Sequence, residues 1–428
     1  MTTISAPKGT RDFYPEEMAI REYIFNTWEK SCKKYGFEKF DAPLFENLDL
    51  FTQKSGDEIE KQLYAFEDKA GRKIALRPEM TPSLARMVAA KGQAIKKPVR
   101  WYSIPRLFRY EKMQKGRLRE FFQLNMDILG VDATTADADL IAAAIGLLRD
   151  LKLTSKDFSV HISSRNLLEE LFLDTGIAKE KLPALYALLD KQHKLEKDVF
   201  AKLLLDSTGS DSLAKKIATI LKSDSLDTLR NINPNLPALK TVDELFSLLD
   251  AYGLSDYITF DIGIVRGLAY YTGIVFEIFD TDRNMRAIAG GGRYDKLVKL
   301  YGGPDTPAMG FAAGDVVLAD LLKEKNLIPQ LPGRSEVFVV TFDKSRPELS
   351  IKTTQMIREH GISAEYLLKP GNIGKQMKQA IAAGAKIIIF VGGDEEKLNQ
   401  TKIKILESGE ELTIKKDSII TTIFDALK

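Results

Sequence analysis

Apolar residues recur at a spacing of four in the segment that follows Pro15. The residues that share this spacing are Ile20, Ile24, Trp28 and Cys32. Side chains four residues apart lie on one face of an α-helix, and Gly36 stands where such a helix would end. The pattern predicts a long amphipathic helix near the amino terminus.

Between Val99 and Gly130, the spacing of apolar residues changes from four to two. Two extended runs flank the charged segment 111–120, which predicts antiparallel strands joined by a long loop. In the second run, Phe122, Leu124, Met126 and Ile128 share one face, and Gln123, Asn125 and Asp127 share the other. The polar face is either the wall of a solvated cavity above an antiparallel sheet or the outer side of an ordinary half-exposed strand.

The rest of the sequence indicates two domains that differ in the order of their helices and strands. Short helices rich in Leu, Lys and Asp fill residues 165–250 and interrupt a β-rich region, because strands resume at Tyr257–Val265 and Gly273–Phe279. Strands and helices alternate after a Pro- and Gly-containing stretch. The prediction is an α+β domain built on an antiparallel sheet at 1–325 with a mainly helical insertion at 165–250, a linker at 326–334, and an α/β domain at 335–428.

Composition narrows the class of protein. The chain has 428 residues with 44% hydrophobic and 29% charged, which is typical of a globular protein rather than a disordered or fibrous one. The net charge of +2 means that a nucleic-acid partner would need a local basic patch. The single cysteine, Cys32, excludes an intrachain disulfide and a multi-cysteine metal site.

No secretory signal is evident at the amino terminus, and no uncharged apolar stretch reaches the roughly 18 residues that a membrane span needs. We therefore expect a cytoplasmic protein without a membrane partner.

Charged residues cluster around the predicted loop. Arg109 and Glu111 lie one strand period apart, so an arginine fork for phosphate or carboxylate could stand beside an acceptor for an amine, although a surface salt bridge is the simpler alternative. Lys112, Lys115, Arg117 and Arg119 surround Gly116. This basic cluster is either a solvated charge run or a contact for phosphate groups.

Two further segments could serve a ligand. Glu79 and Thr81 stand between Pro78 and Pro82, where an acid and a hydroxyl could bind an ammonium group or cap a helix. Segment 289–295, Ala-Gly-Gly-Gly-Arg-Tyr-Asp, allows close approach of the backbone to a flat or phosphorylated ligand. It matches neither the P-loop nor the dinucleotide fingerprint. The three histidines lie far from these segments, so a Ser-His-Asp or Cys-His site is not expected.

Together these segments resemble the signature of the histidyl-tRNA synthetases, a class II aminoacyl-tRNA synthetase family. The segments that carry the resemblance are Pro7–Asp12, the Pro43 segment as motif 1, Leu76–Thr81, Phe108–Glu111 with 115–123 as motif 2, and Arg266–Gly273 and Gly291–Asp295 as the histidine-recognition segments. The resemblance runs nearly end to end and implies a class II catalytic domain followed by an anticodon-binding domain.

The resemblance also implies roles for individual residues. Arg109 and Arg266 would be catalytic, facing the α-phosphate of ATP from opposite sides. ATP binding would involve Arg109, Glu111, Arg117 and Arg266. Histidine binding would involve Glu79, Thr81, Gln123, Asp127, Arg266, Tyr270, Tyr271 and Tyr294. Contact with the tRNA acceptor stem would involve Lys115, Arg117 and Arg119.

The same resemblance implies the partners. They are L-histidine, ATP accompanied by Mg²⁺, tRNA(His) and a second copy of the chain in a homodimer. No dedicated protein cage for the metal is expected.

This sequence departs from the family pattern at three positions. Val317 stands where class II motif 3 has an arginine that contacts ATP. We expect either that another cation, Arg293 or a magnesium ion, takes over that contact or that the chain is a subgroup variant. Ala269 replaces a common aspartate, and Asp127 stands where many members have glutamate. The loss at 317 raises an alternative, a catalytically silent histidine-binding paralogue of the ATP phosphoribosyltransferase regulatory subunit type. A general RNA-binding protein without catalysis is a third possibility.

Overall fold

The computed structural model describes residues 4–52, 61–114, 116–190, 192, 195–223, 225–266, 270–331, 333–369 and 371–428. The chain divides into two compact units, Met1–Ile328 and Pro329–Lys428.

The helices of the first unit frame its sheet and form the inserted block. They are α1 (Pro15–Lys34), α2 (Asp49–Thr52), α3 (Thr81–Lys91), α4 (Thr134–Asp150), α5 (Arg165–Asp174), α6 (Leu182–Leu189), α7 (Lys197–Thr208), α8 (Asp211–Leu221), α9 (Leu226–Ile232), α10 (Pro237–Ala251), α11 (Leu297–Leu300) and α12 (Asp315–Glu324).

The strands of the first unit form one large and one small sheet. They are β1 (Glu38–Lys39), β2 (Phe45–Asn47), β3 (Ala65–Glu67), β4 (Lys73–Leu76), β5 (Val99–Ser103), β6 (Arg106–Phe108), β7 (Glu120–Leu129), β8 (Phe158–Ser164), β9 (Ile258–Phe260), β10 (Ile274–Asp280), β11 (Ala289–Arg293) and β12 (Ala308–Gly314).

The large sheet holds the functional site. Its described strands number nine and follow the order β1-β5-β7-β12-β11-β10-β8-β9, with β6 paired to β7. The central pairs are antiparallel, and only the outer pairs β1·β5 and β8·β9 are parallel. The prediction of an antiparallel sheet is confirmed, and so is the pairing of the two runs that flank the charged loop, since Val99 lies opposite Leu129.

Helix α1 follows the predicted spacing. Pro15 occupies its first turn, two glutamates begin it and two lysines end it, an arrangement that complements the helix dipole. Ile24, Trp28 and Cys32 are buried in the main core. Burying an indole and an aliphatic side chain stabilises the fold by roughly 2–3 kcal/mol each.

The inserted block consists of helices, as predicted for 165–250. Helices α5 to α10 occupy it, and their leucines continue the main core rather than forming a separate one. The next strand, β9, is shorter than the predicted run at Tyr257–Val265 because the chain turns after Phe260 toward the site.

The second unit is a small α/β fold. Its strands are β13 (Val337–Thr341), β14 (Ala364–Tyr366), β15 (Ile387–Val391), β16 (Gln400–Ile405) and β17 (Glu411–Lys415), and its helices are α13 (Pro347–Glu359), α14 (Ile373–Ala382) and α15 (Ile419–Leu427). The sheet order is β14-β13-β15-β16-β17, in which β13 is parallel to both of its neighbours. The predicted alternation of strands and helices is present from β13 to β15, and β16, β17 and α15 complete the fold.

Within the described residues, no helix is long and apolar enough to cross a membrane.

Candidate functional site

A pocket of about 420 Å³ opens above the middle of the large sheet. Strands β7, β11 and β12 form its floor, and the segment that leads into α3, the loop after β6 and the segment before β10 form its walls. Gln123, Asn125 and Asp127 all face it. The polar face of β7 is therefore a cavity wall and not a half-exposed strand, and Asn125 and Asp127 are each only 3% exposed.

A buried carboxylate stands at one end of the pocket. The Tyr270 hydroxyl donates to Glu79 Oε2 at 2.8 Å, whereas Glu79 Oε1 is buried without a hydrogen-bond donor among the described residues. Burial raises the pKa of Glu79, and the positive charges of Arg109 and Arg266 oppose the rise. Met80, not Glu79, occupies the capping position of α3, and its side chain makes no cap. An oxygen without a donor is suited to an incoming ammonium group.

Asp127 is the second buried carboxylate of the pocket. The Tyr294 hydroxyl donates to its Oδ1 at 2.6 Å, and burial raises the pKa of Asp127 to about 7 despite that bond. Gly310 on the neighbouring strand makes the position possible, because a Cβ there would lie 1.8 Å from Asp127 Oδ1.

Three tyrosines line the space between the two carboxylates. The ring centroids of Tyr270 lie 5.0 Å from Tyr271 and 6.0 Å from Tyr294. Burial raises the pKa of all three, so their hydroxyl groups stay protonated near neutral pH. The result is an aromatic slot with hydroxyl groups, which suits a flat polar ring.

Two arginines bring positive charge to the pocket. Arg109 is anchored by its Nε, which donates to the Pro78 carbonyl at 2.9 Å. Arg266 pairs with Glu277 on β10 through Nη1. Burial lowers the pKa of Arg266, but Tyr271 and Glu277 outweigh it and the net shift is upward, so this arginine stays charged.

The backbone at Arg266 is held in an unusual conformation. Its φ of 59° lies in the left-handed region, which costs a non-glycine residue roughly 1 kcal/mol. The buried side chain of Arg165 stabilises it by donating to the carbonyls of Val265 at 3.0 Å and Arg266 at 2.6 Å. Arg165 is thus a positioning residue for Arg266.

The glycines of β11 make room for the site's own side chains. A Cβ on Gly290 would lie 2.6 Å from Arg266 Nη1, and a Cβ on Gly292 would lie 2.9 Å from Tyr271 Cδ1. The sequence suggested close approach of a ligand to this backbone. In the structure, the arginine lies nearest to Gly290, and the tyrosine shares the space beside Gly292 with the Ile274 carbonyl and the Val275 side chain of the neighbouring strand.

The loop after β6 contributes charge of both signs. Glu111 is 8% exposed and pairs with Arg117, and its Oε1 lies 4.0 Å from Arg109 Nη1. All three side chains line the pocket, so the Arg109–Glu111 pair is part of a cavity and not a surface salt bridge.

Arg119 from the same basic cluster lies elsewhere. Its guanidinium stacks on the Tyr110 ring at 3.9 Å, and its backbone N–H donates to Gly9. The structure does not bring it into the pocket. Lys115 lies outside the described residues, as does Ala269.

Most residues predicted for the site meet in this one pocket. They are Glu79, Thr81, Arg109, Glu111, Arg117, Gln123, Asp127, Arg266, Tyr270, Tyr271 and Tyr294. The pocket lining also includes Gln62, Glu277 and Arg286, which the sequence did not single out. Glu277 carries a signal in retrospect, because it interrupts the apolar run of β10.

The expectation that Arg293 replaces the motif 3 arginine is wrong. Its guanidinium is buried away from the pocket and donates to Asp137 at 2.5 Å and to the carbonyls of Val131 and Ala133. Side chains alternate along β11, so Arg293 points to the opposite face from Gly290 and Gly292. Its guanidinium therefore bonds to groups in the protein interior. Val317 itself lines the pocket at the start of α12.

No cluster of three or more His, Cys, Asp or Glu side chains suited to a metal ion occurs among the residues that the structure describes. His161 lies outside the pocket lining, where it contacts Ser159 and Asp261 at 3.0 Å each, and Arg283 lies against its ring.

Comparison with known proteins covers both units. The family model for histidyl-tRNA synthetase matches residues 9–315, and the anticodon binding domain model matches residues 336–425. The "Histidine--tRNA ligase, chloroplastic/mitochondrial" of Arabidopsis thaliana is 40% identical over 96% of this chain and 85% of its own length. The "Histidine--tRNA ligase" of Opitutus terrae is 40% identical over 99% of both chains. The crystal structure of histidyl-tRNA synthetase from a Nostoc species has the same fold, with a TM-score of 0.83 and 23% identity over 99% of this chain and 100% of that one.

Proposed function

This chain belongs to the histidyl-tRNA synthetase family, and we propose from that premise that it activates L-histidine with ATP and transfers the histidyl group to the 3′ end of tRNA(His). The observation that carries the proposal is the single pocket in which Arg109 and Arg266 accompany two buried carboxylates and three tyrosines.

The tyrosine-lined end of the pocket suits histidine. Glu79 Oε1, Thr81 and Gln123 would receive the α-ammonium group together with Asp127, and the imidazole would lie among the tyrosines. A site that hydrogen-bonds both ring nitrogens leaves buried polar groups unpaired when an apolar analogue enters. Such sites can discriminate by about 10⁴–10⁵ without editing.

The arginines suit the activation step. The histidine carboxylate would attack the α-phosphorus of ATP, form the acyl-phosphate bond and release pyrophosphate. Negative charge accumulates on the α-phosphate oxygens during this attack. Arg109 and Arg266, both held in place before ATP arrives, would stabilise that charge without reorganisation.

The loop after β6 would serve the rest of the nucleotide and the tRNA. Glu111 would lie near the adenine, and Arg117 near the ATP phosphates. Mg²⁺ would enter with ATP as part of the substrate, since the nearby carboxylates Glu111 and Glu277 are each already paired with an arginine. Lys115, Arg117 and Arg119 would meet the acceptor stem, and the second unit would bind the anticodon.

Assembly and location extend the proposal. We expect a homodimer with the Pro43 segment in its interface, and a monomer in light scattering at micromolar concentration would contradict it. A cytoplasmic location fits the single cysteine, which is buried.

The alternative of a silent regulatory paralogue is less well supported. The chain retains Arg109, Glu111 and Arg266 in the pocket and matches the anticodon binding domain model at 336–425. A general RNA-binding function would leave the buried carboxylates and tyrosines without a purpose.

Histidine-dependent exchange between ATP and pyrophosphate tests the proposal. Purified protein with Mg²⁺ should catalyse the exchange, and its absence would exclude the ligase. Arg266→Ala should lower kcat for exchange by about 10²–10³ and change the Kd for histidine much less, because the missing charge acts on the transition state. A loss confined to histidine binding would contradict the role of Arg266.

A further inference from the structure

Arginines gather at the end of the pocket that lies toward Val317. Arg109, Arg117 and Arg286 all line it, and Arg266 extends from the wall over Gly290 of the pocket floor. Two carboxylates face this group, and each is already engaged: Glu111 by Arg117, and Glu277 by Arg266. Positive charge is therefore in excess at this end before any ligand enters.

Arg286 stands beside the position that lacks its arginine. Both side chains lie close to Gly116, since a Cβ built there would lie 3.2 Å from Val317 Cγ2 and 3.8 Å from Arg286 Cδ. Arg286 comes from the hairpin between β10 and β11, whereas Val317 belongs to α12. Two elements far apart in sequence thus present their side chains to one patch of the pocket wall.

The backbone around Arg286 is fixed in place. Asp280, only 5% exposed, accepts from the N–H of Asn284 at 2.8 Å and of Met285 at 3.0 Å. On the other side, Ile288 N–H donates to the Ile278 carbonyl at 2.8 Å. Arg286 is therefore presented to the pocket from a closed turn.

The guanidinium of Arg286 makes no hydrogen bond or ion pair with any of the described residues, although the side chain is partly buried. Burial lowers the pKa of Arg286, the positive charges of Arg117 and Arg109 lower it further, and the negative charges of Glu111 and Glu277 oppose the fall. A positioned cation beside two other arginines, without an ion pair of its own among the described residues, is suited to an anion supplied from outside.

We propose that Arg286 contacts the phosphate groups of ATP and takes over the contact that an arginine at position 317 would make. The inference rests on the proposed function, since it assigns part of the ATP site. The guanidinium fork suits phosphate oxygens, and the neighbouring Arg109 and Arg117 place the ligand's charge at the same end. Arg286 is not assigned to histidine, because the buried carboxylates and the tyrosines that would bind histidine lie at the other end of the pocket.

The test compares two arginines of the same hairpin. Arg286→Ala removes the pocket cation, and Arg283→Ala removes an exposed arginine that lies against His161 outside the pocket. Exchange between ATP and pyrophosphate, measured without tRNA, gives kcat and the KM for ATP and for histidine. We expect Arg286→Ala to lower kcat/KM for ATP by about 10²-fold, the size typical of losing one prepositioned donor, and Arg283→Ala to stay within about twofold. The KM for histidine and the thermal midpoint should hardly change in either variant.

The outcomes separate this inference from the function itself. If wild-type protein shows no exchange, the proposed function fails. If wild type is active and Arg286→Ala retains its kcat/KM for ATP, the inference alone fails. A loss in tRNA charging with unchanged exchange would also overturn it, because Arg286 would then serve the acceptor end of tRNA.

A double variant tests whether an arginine at position 317 can replace Arg286. Arg286→Ala combined with Val317→Arg returns the cation to the helix position while removing it from the hairpin. We expect this double variant to recover at least tenfold of the lost kcat/KM for ATP. If the double variant folds, as judged by its thermal midpoint, and recovers none of the lost kcat/KM for ATP, Arg286 does not replace an arginine at position 317 and the proposal is wrong.

Discussion

Asp127 shows how burial sets the charge of a single residue. Its carboxylate accepts from Tyr294 and lies over Gly310, and its pKa is raised to about 7. The unfolded chain releases this proton near pH 4, so the folded state holds a proton that the unfolded state has lost between about pH 4 and 7. Stability therefore falls as the pH rises through that window.

Replacing Asp127 tests the shift. Asp127→Asn cannot ionise but can still accept from Tyr294. We expect the variant to match wild type near pH 4 and to be more stable than wild type at pH 8 by about 4 kcal/mol, measured by urea unfolding. Asp305→Asn, at an exposed position, should show no such gap. An Asp127→Asn curve parallel to wild type from pH 4 to 8 would contradict the raised pKa.

Arg293 demonstrates that a motif residue can serve the fold. Its ion pair with Asp137 is buried, with 9% and 2% of the two side chains exposed. Removing one partner of such a pair leaves an uncompensated charge, so Arg293→Ala should lower the free energy of unfolding by about 3–5 kcal/mol.

The partner substitution provides the control. Arg293→Ala combined with Asp137→Asn should recover part of the loss, because no buried charge remains unpaired. Urea unfolding of the two single variants and the double variant measures the coupling. Strictly additive losses would count against the pair as the cause.

At the scale of elements, the backbone at Val265 and Arg266 is held by the first residue of a helix. Arg165 stands at the first position of α5 and holds the carbonyls around Arg266, whose φ is positive. The helical insertion therefore supports the site through its first residue.

Substitutions at Arg165 test this support. Arg165→Lys keeps the charge but lacks the fork that reaches two carbonyls, so we expect kcat for exchange to fall about tenfold with little change in the thermal midpoint. Arg165→Ala should also lose stability, by about 2–4 kcal/mol, since it leaves buried carbonyls without donors. Full activity in the lysine variant would show that charge alone is enough.

At the scale of the whole molecule, the weak net charge of +2 leaves tRNA binding to local patches. Contacts with phosphates release counterions, so tRNA affinity falls with salt. We expect the KM for tRNA in aminoacylation to rise at least tenfold between 50 and 200 mM salt, whereas the KM for ATP in exchange changes much less. Equal salt dependence of the two would indicate that tRNA makes few phosphate contacts.

Elements with a clear period could be predicted from the sequence alone. The four-residue spacing of α1 and the alternation of β7 are local properties, because side-chain direction follows directly from helix or strand geometry. The family motifs placed Arg109, Glu79, Asp127, Arg266 and the tyrosines in one site, and the structure brings these residues together.

The tertiary structure decided what the motifs could not. Whether the polar face of β7 is exposed depends on the elements that cover it, and whether Arg293 or Arg286 faces the pocket depends on strand alternation and on a turn closed by Asp280. The Arg119 guanidinium packs on the Tyr110 ring, and Glu277 on β10 forms an ion pair with Arg266, which precedes that strand. The sequence by itself determined which residues form helices and strands and which face each side chain occupies. The packing of distant elements decided which side chains become neighbours, because the burial, charge state and partners of a side chain depend on the elements that meet around it.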